Sequence, residues 1–245
     1  MRTTMEILGI IPARGEPKRV PQKNIKNFCG KPLIAWSIIA ALKSKLINEV
    51  IVTTDSEKIA KIARHYGAKT PFLRPKTLAR SSVGIEPVLI HALGWLKKHR
   101  GYQPDAIALL MPTNPLKLPQ CLDKAIKIFK KKGVDSVVSV SEATGNNNPY
   151  WILKKTKTGR VVLFNNDSLK KIIVRSQLLP TCYSRNDVIY VLKPENLYQK
   201  TPNLYGNKIE LYVMDELFNG DINTLEDWCI ALDKFKRLRA KFGPK

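Results

Sequence analysis

Several basic side chains follow an apolar run close to the start of the chain. The run I-L-G-I-I-P ends at Pro12, and the loop after it contains a single acidic residue, Glu16. The cations of this loop are Arg14, Lys18, Arg19 and Lys23. A short apolar run bounded by turn residues predicts a buried strand, and ligands of open α/β sheets bind at the carboxyl ends of such strands. The loop therefore favours a polyanion, most simply a nucleoside triphosphate; a solvated surface loop is the alternative.

The bulk composition indicates a globular protein. The chain has 245 residues, 44% of them hydrophobic, which suits one α/β domain or a domain with a small appendage. Its four cysteines form no C-x-x-C pair, which argues against a zinc site or a disulfide framework and predicts a cytoplasmic location. No run approaches the ~20 apolar residues of a membrane span, and the N-terminal apolar run is too short for a signal peptide.

The net charge is strongly positive. The sequence has 42 lysines and arginines against 20 acidic residues, a formal charge of +22. Such a charge attracts phosphates, acidic sugars or nucleic acid. However, the lysines are dispersed over segments 124–132, 154–160 and 234–245, as expected for the solvent-exposed faces of helices or a hairpin. The sequence also shows no nucleic-acid recognition motif. We therefore do not expect nucleic acid as a partner.

The first part of the chain alternates predicted strands and helices. Strands are predicted at Ile7–Pro12, Glu49–Thr54, Ala106–Met111 and Ser136–Ser141. Helices are predicted at Pro32–Lys43, Ser56–Tyr66, Glu86–Arg100 and Gln120–Lys132, with Ser56 as an N-cap and Gly67 and Gly133 where the second and fourth helices end. Repeated βα units imply a mostly parallel sheet.

The pattern changes at Asn146. Hairpin-like sequence over approximately 146–180 predicts an arm that leaves the main sheet of a single domain, 1–245, and such arms often mediate subunit pairing. Further strands are predicted at Asp187–Leu192 and Lys208–Val213, and an amphipathic helix at Leu225–Phe242 closes the chain.

Four segments carry a resemblance to a known family. The opening loop has A-R-G-E-P-K-R-V-P-Q-K-N where the family has A-R-G-G-S-K-R-x-P-x-K-N, and residues 109–117 have L-L-M-P-T-N-P-L-K for L-L-Q-P-T-S-P-L-R. Residues 174–191, V-R-S-Q-L-L-P-T-C-Y-S-R-N-D-V-I-Y-V, are similar to R-Q-x-L-P-x-x-Y-x-x-N-G-A-I-Y. Residues 220–228, G-D-I-N-T-L-E-D-W, are similar to D-I-D-T-P-E-D. From Ile7 to about Leu232 the chain resembles the acylneuraminate cytidylyltransferases, which make CMP-sialic and CMP-legionaminic acids.

The resemblance implies a fold and a reaction. The fold is α/β, a Rossmann-like, mostly parallel sheet of the nucleotide-diphospho-sugar transferase type with a small dimerisation arm, and the protein is expected to be a homodimer. The reaction is transfer of CMP from CTP to a nonulosonic acid of nine carbons, sialic or legionaminic in type, with release of pyrophosphate. The cofactor implied is Mg²⁺, and no protein nucleophile is required.

The same resemblance assigns roles to residues. The implied CTP contacts are Arg14, Lys18, Lys23 and Asn24. The implied sugar contacts are Thr113, Asn114, Arg175 and Asn186, with Arg175 holding the sugar carboxylate in the pocket of its own chain or of the partner subunit. The implied metal ligands are Asp221 and Asn223, and the implied catalytic residues are Arg14, Lys23 and Asp221. Asn223 or Thr224, followed by Glu226 and Asp227, also suits the start of a helix, and the two roles are compatible.

The chain departs from the family pattern at functional positions. Glu16 and Pro17 replace Gly-Ser in the phosphate loop, which adds a negative charge and removes an N–H donor. Met111 replaces a sugar-contacting glutamine and cannot form its hydrogen bonds, Asp187 replaces a glycine, and Asn223 replaces a metal-binding aspartate. These departures leave open a family member that binds nucleotide without turnover. A cytidylyltransferase for Kdo or pseudaminic acid is a further alternative, although P-T-N-P-L and R-S-Q-L-L-P favour the sialic/legionaminic branch.

Overall fold

A single six-stranded sheet organises the chain in the computed structural model, which describes residues 5–15 and 19–242. The helices are α1 Leu33–Leu42, α2 Glu57–His65, α3 Ile85–Arg100, α4 Pro119–Lys132 and α5 Leu225–Phe242. The strands are β1 Ile7–Pro12, β2 Asn27–Phe28, β3 Lys31–Pro32, β4 Glu49–Thr53, β5 Ala106–Leu109, β6 Ser136–Glu142, β7 Leu153–Lys155, β8 Val161–Leu163, β9 Tyr183–Leu192 and β10 Ile209–Met214. The main sheet has the order β10-β6-β9-β5-β1-β4, and only β9 runs against the other five strands.

Helices cover both faces of the sheet, which explains the continuous apolar run of β1. Its side chains alternate between two cores, since successive residues of a strand point to opposite faces. Ile7 and Ile11 pack in the core formed with α1, α2, α4 and α5, whereas Leu8 and Ile10 pack in the core formed with α3. The predicted α/β class and mostly parallel sheet are confirmed.

Local sequence signals end several elements as predicted. The Ser56 hydroxyl accepts a hydrogen bond from the N–H of Ile59 at the start of α2. Gly133 closes α4 with φ 60°, a left-handed conformation that glycine adopts without steric cost. Helix α5 and strand β1 have the predicted bounds, and most other elements differ by about one or two residues at an end. None of the described helices is long and apolar enough to cross a membrane.

Strand β9 is longer than predicted and has an informative direction. The sequence predicts a strand over Asp187–Leu192, whereas β9 begins at Tyr183 and lies antiparallel between β5 and β6. Strand β6 ends at the carboxyl edge of the sheet, and the chain returns from that same edge after residues 143–182, so β9 must run in reverse. The first half of β9 therefore lies at the edge where the ligands of α/β sheets bind.

The segment between β6 and β9 stands apart from the main sheet. Strands β7 and β8 pair only with each other, as an antiparallel two-stranded sheet. Large apolar side chains are exposed here, including Phe164, Leu178 and Val174, the last with 83% of its surface accessible. A role of this arm in subunit pairing stays a prediction.

Aromatic packing fixes α5 to the body of the protein. The Phe235 ring lies 5.4 Å from that of Phe28 and 4.6 Å from that of Trp36, both in edge-on geometry.

We expect Phe235→Ala to lower the free energy of unfolding by about 3–5 kcal/mol, because the cavity would form in a packed core. Urea titration measures this. Cys229→Ala, an exposed change on the same helix, should stay within about 0.5 kcal/mol of the wild type. Equal effects of the two substitutions would show that α5 is not docked as described.

Candidate functional site

Five chain segments meet at the carboxyl edge of the sheet and enclose a pocket of about 350 Å³. They are the loop after β1, residues 74–88 after β4, the loop after β5, the irregular part of β9 around Asp187, which we call the Asp187 turn, and residues 218–223 before α5, which we call the crossing segment. The polar residues that line the pocket are Arg14, Lys23, Asn24, Arg74, Arg80, Thr113, Asp187, Asp221 and Asn223. Its wall thus combines several cations with two carboxylates.

The loop after β1 supplies the cations on one side. The Asn24 side-chain amide donates to the backbone oxygen of Arg14 at 3.0 Å, which ties the two ends of this loop together. The other polar atom of that amide, Asn24 Oδ1, is buried and has no hydrogen-bond partner among the described residues. Lys18, which the sequence assigns to the same cluster, lies outside the described residues, as do Glu16 and Pro17.

Lys23 links this loop to the crossing segment. Its ammonium donates to the backbone oxygen of Ile222 at 2.5 Å, and only 7% of the residue is exposed. Burial lowers the pKa of Lys23, the carboxylate of Asp221 opposes that shift, and Arg14 adds to it. A bound anion would offset the cost of this buried charge, because an opposite charge nearby favours the charged form.

The crossing segment is held in place by the loop after β5. The N–H of Ile222 donates to the backbone oxygen of Thr113 at 2.9 Å. The side-chain amide of Asn114, which is fully buried, donates to the backbone oxygens of Phe218 at 2.9 Å and of Asn186 at 2.6 Å. One asparagine therefore joins three of the five segments.

Asp221 presents an oxygen suited to a metal ion. Its Oδ1 atom is shielded from solvent and has no partner among the described residues, while Oδ2 accepts from the Asn223 side-chain amide at 2.5 Å. No group of three or more His, Cys, Asp or Glu side chains with metal-binding geometry occurs in residues 5–15 and 19–242. Such a sparse donor set fits Mg²⁺, which keeps several waters and often takes one or two carboxylates together with phosphate oxygens.

The residues after Asp221 also form the predicted helix start. The Thr224 hydroxyl accepts from the N–H of Asp227 at 3.1 Å, and the Asp227 carboxylate accepts from the N–H groups of Asn223 and Thr224 at 2.8 Å each. These bonds satisfy backbone donors that the first turn of a helix leaves free. The helix cap is therefore compatible with the position of Asp221 in the pocket wall.

The opposite wall of the pocket contains Met111, Thr113 and Asp187. Asp187 has φ 55°, a left-handed conformation that aspartate tolerates better than most residues, so the position where the family has glycine keeps a glycine-like backbone. Its carboxylate accepts a hydrogen bond from the Tyr190 hydroxyl. Beneath this wall lies Lys117, and burial lowers its pKa to about 7 although Asp187 and Asp221 oppose the shift.

Two arginines of the pocket were not predicted from the sequence. The motifs assign no role to Arg74 or Arg80, yet both line the pocket. Arg74 is 5% exposed, and its guanidinium lies 3.6 Å from the Asp55 carboxylate. Its backbone N–H donates to the backbone oxygen of Thr54, the residue directly after β4. The sequence carried no local signal for it, because α2 separates Arg74 from β4 along the chain and the fold brings the two together.

A family model described as Cytidylyltransferase matches residues 8–241 of the chain. The chain belongs to the cytidylyltransferase family. Its relatives include a pseudaminic acid cytidylyltransferase of Campylobacter jejuni, 41% identical over 91% of this chain and 93% of the relative. A CMP-N,N'-diacetyllegionaminic acid synthase of Legionella pneumophila is 32% identical over 93% of this chain and 95% of the relative. Post-translational flagellin modification protein B of Campylobacter coli is 34% identical over 96% and 98%.

Solved structures confirm the fold of this cytidylyltransferase. A CMP:2-keto-3-deoxy-manno-octonic acid synthetase complexed with CTP has a TM-score of 0.68 at 15% identity, covering 96% of this chain and 99% of that one. A 4-diphosphocytidyl-2C-methyl-D-erythritol synthase from Anaerococcus prevotii has a TM-score of 0.65 at 15% identity, covering 95% and 97%. At this identity the likeness concerns the fold alone.

The structure of this cytidylyltransferase gathers some of the predicted site residues and leaves others apart. Those that line the pocket are Arg14, Lys23, Asn24, Thr113, Asp221 and Asn223. Asn114 and Asn186 lie beneath it with their side chains engaged in hydrogen bonds to the protein, so they serve the scaffold, and a sugar contact for either has no support from this geometry. Arg175 is exposed in the arm and does not line the pocket of its own chain.

Gly220 gives a test of how tightly the crossing segment is packed. A Cβ atom on this residue would lie 2.2 Å from Cδ1 and 3.0 Å from Cγ of Leu116, which is fully buried. We expect Gly220→Ala to lower the free energy of unfolding by about 1–3 kcal/mol through overpacking. In a double-mutant cycle, Leu116→Val should recover part of that loss, since it removes the atom in collision. Additive effects would contradict the described contact.

Proposed function

We propose that the protein transfers CMP from CTP to a nonulosonic acid. The anomeric hydroxyl of the sugar attacks the α-phosphorus, the bond from that phosphorus to the bridging oxygen of the β-phosphate breaks, and pyrophosphate leaves. The hydroxyl proton is released to solvent or to a phosphate oxygen. The observation that carries this proposal is the convergence of Arg14, Lys23 and Asp221 on one pocket, at the sheet edge where such folds bind nucleotides.

The residues of the loop after β1 bind and orient the nucleotide. Arg14 and Lys23 neutralise the triphosphate, and the guanidinium binds phosphate oxygens bidentately. Lys18 belongs to the same cluster by sequence. Asn24 holds the loop closed through Arg14, and its Oδ1, which has no partner within residues 5–15 and 19–242, accepts from a donor of the nucleotide. Catalysis rests on positioning and charge stabilisation, as in phosphoryl transfer generally.

Asp221 is the residue best suited to hold Mg²⁺, with Asn223 as a neutral second ligand. When bound, the metal would neutralise charge on the phosphate oxygens. The shielded Oδ1 of Asp221, which has no partner among the described residues, supports this role, as does the nearness of this carboxylate to Lys23. Asn223 supplies an amide oxygen without charge, so its contribution is smaller than that of the aspartate found in the family.

The sugar acid occupies the side of Met111 and Thr113. Thr113 offers a hydroxyl there, whereas Met111 offers an apolar surface. Arg175 would bind the sugar carboxylate in the pocket of a second copy, because it lies in the exposed arm; this requires a homodimer. Sialic or legionaminic-type acids are the proposed substrates. Pseudaminic acid is the nearest alternative, supported by the 41% identity to a relative named for that sugar.

A substrate panel tests the reaction. With CTP and Mg²⁺, we expect pyrophosphate release with at least one of sialic, legionaminic and pseudaminic acids, and weaker release with Kdo. If folded protein released no pyrophosphate with any of these acids, the proposal would be wrong. Calorimetry with CTP then separates the remaining cases, since binding without product indicates a family member that has lost turnover.

Substitution of Asp221 tests the metal site. We expect Asp221→Asn to lower kcat/KM by about 100-fold or more, because metal stabilisation of a phosphoryl transition state is worth several kcal/mol. Calorimetry should show weaker binding of the Mg²⁺–CTP complex, with binding of metal-free CTP retained. The matched variant Asn223→Asp adds a carboxylate and should lower the Mg²⁺ concentration needed for half-maximal activity. Equal metal dependence in all three proteins would rule out this assignment.

A further inference from the structure

Lys117 is a buried cation that the reaction does not use directly. It lies beneath the pocket with 5% of its surface exposed. Its ammonium donates to three backbone oxygens, those of Asn114 at 2.5 Å, Met111 at 2.9 Å and Asp187 at 3.3 Å. A lysine ammonium has three N–H donors, so its hydrogen bonding is complete without any contact to a carboxylate.

Burying the Lys117 ammonium lowers the stability of the folded state unless its contacts compensate, so these contacts indicate a structural role for it. An ionised group taken from water into a protein interior needs pairing and hydrogen bonds to be tolerated. Asp187 and Asp221 provide partial compensation, since both carboxylates favour the charged form of Lys117 from nearby. A neutral amine has only two N–H groups and would leave one of the three oxygens without a donor.

The three oxygens belong to two separate parts of the pocket wall. The oxygens of Met111 and Asn114 lie at the two ends of the turn that contains Thr113. The oxygen of Asp187 lies in the Asp187 turn of β9, where the backbone is left-handed. Lys117 donates to oxygens of both parts, and the Asn114 amide, which belongs to the first part, donates to the Asn186 oxygen of the second.

We infer that Lys117 is a positioning residue for the sugar acid, because its ammonium fixes the Met111–Asn114 turn against the Asp187 turn. This inference rests on the proposed function for its kinetic consequence. The nucleotide side of the pocket depends on other contacts, those of Arg14, Asn24 and Lys23. Loss of the Lys117 ammonium should therefore affect the sugar far more than CTP.

Kinetics on Lys117→Met provide the first test. We expect the KM for the sugar acid to rise about 10–100-fold, since displacement of a substrate by about 1 Å has effects of that size, while the KM for CTP changes less than about threefold. Lys117→Arg keeps the charge but its planar fork does not match three converging oxygens, so its sugar KM should be intermediate. Phe235→Ala, destabilised at a distance from the pocket, should leave the ratio of the two KM values unchanged. Parallel increases of both KM values in Lys117→Met would overturn the inference.

Hydrogen exchange provides a second test that needs no turnover. In Lys117→Met, backbone amides of residues 111–118 and 186–191 should both exchange faster, with those of β1 and β4 unaltered. Phe235→Ala should not reproduce this paired change. If the wild type turned over no sugar acid, the proposed function would be wrong. The exchange pattern would still show whether Lys117 fixes the Met111–Asn114 turn against the Asp187 turn. Uniform acceleration over the chain, or no change in either segment, would refute it.

Discussion

The hydrogen bonds of the crossing segment are the constraint on which the site depends. Residues 218–223 have no strand or long helix to satisfy their backbone groups, yet they lie against the carboxyl edge of the sheet. Buried backbone donors and acceptors need partners, and here the partners come from loops far away in sequence: the Lys23 ammonium, the Thr113 backbone oxygen and the Asn114 amide. The same hydrogen bonds that satisfy these backbone groups therefore bring Asp221 to the loop after β1.

The distribution of charge follows from this arrangement. Lys23 and Lys117 are buried beside backbone oxygens, and Asp221 influences both from nearby. Partial desolvation strengthens electrostatic interactions, so a few fixed cations in a pocket attract an anion more strongly than the dispersed surface lysines do. The fixed cations of the pocket are therefore sufficient for the anion binding that we propose, and the net charge of +22 is not needed to explain it.

Local patterns predicted much of the fold but less of the site. The apolar run of β1 and the periodicity of α5 gave correct bounds, because both signals are contained within the element itself. The early start of β9 was missed, since it depends on where the arm returns to the sheet. The loop cations Arg14 and Lys23 were predicted because they follow a recognisable strand.

Other site residues depend on contacts that a sequence does not display. Lys117 stands where the family motif has arginine. Its role depends on three backbone oxygens that accept from its ammonium, one of which belongs to a residue 70 positions away. Arg74 had no predicted role, because its place beside the end of β4 is set by the fold. Asn114 was assigned to the sugar by resemblance, whereas its amide joins the segments beneath the pocket.

The most direct measurement is a crystal structure of the protein with CTP and Mg²⁺. The triphosphate should lie between Arg14 and Lys23, with the metal on Oδ1 of Asp221 and on phosphate oxygens. A nucleotide bound outside the pocket, or a metal held by phosphate and water with Asp221 turned away, would contradict the proposed site.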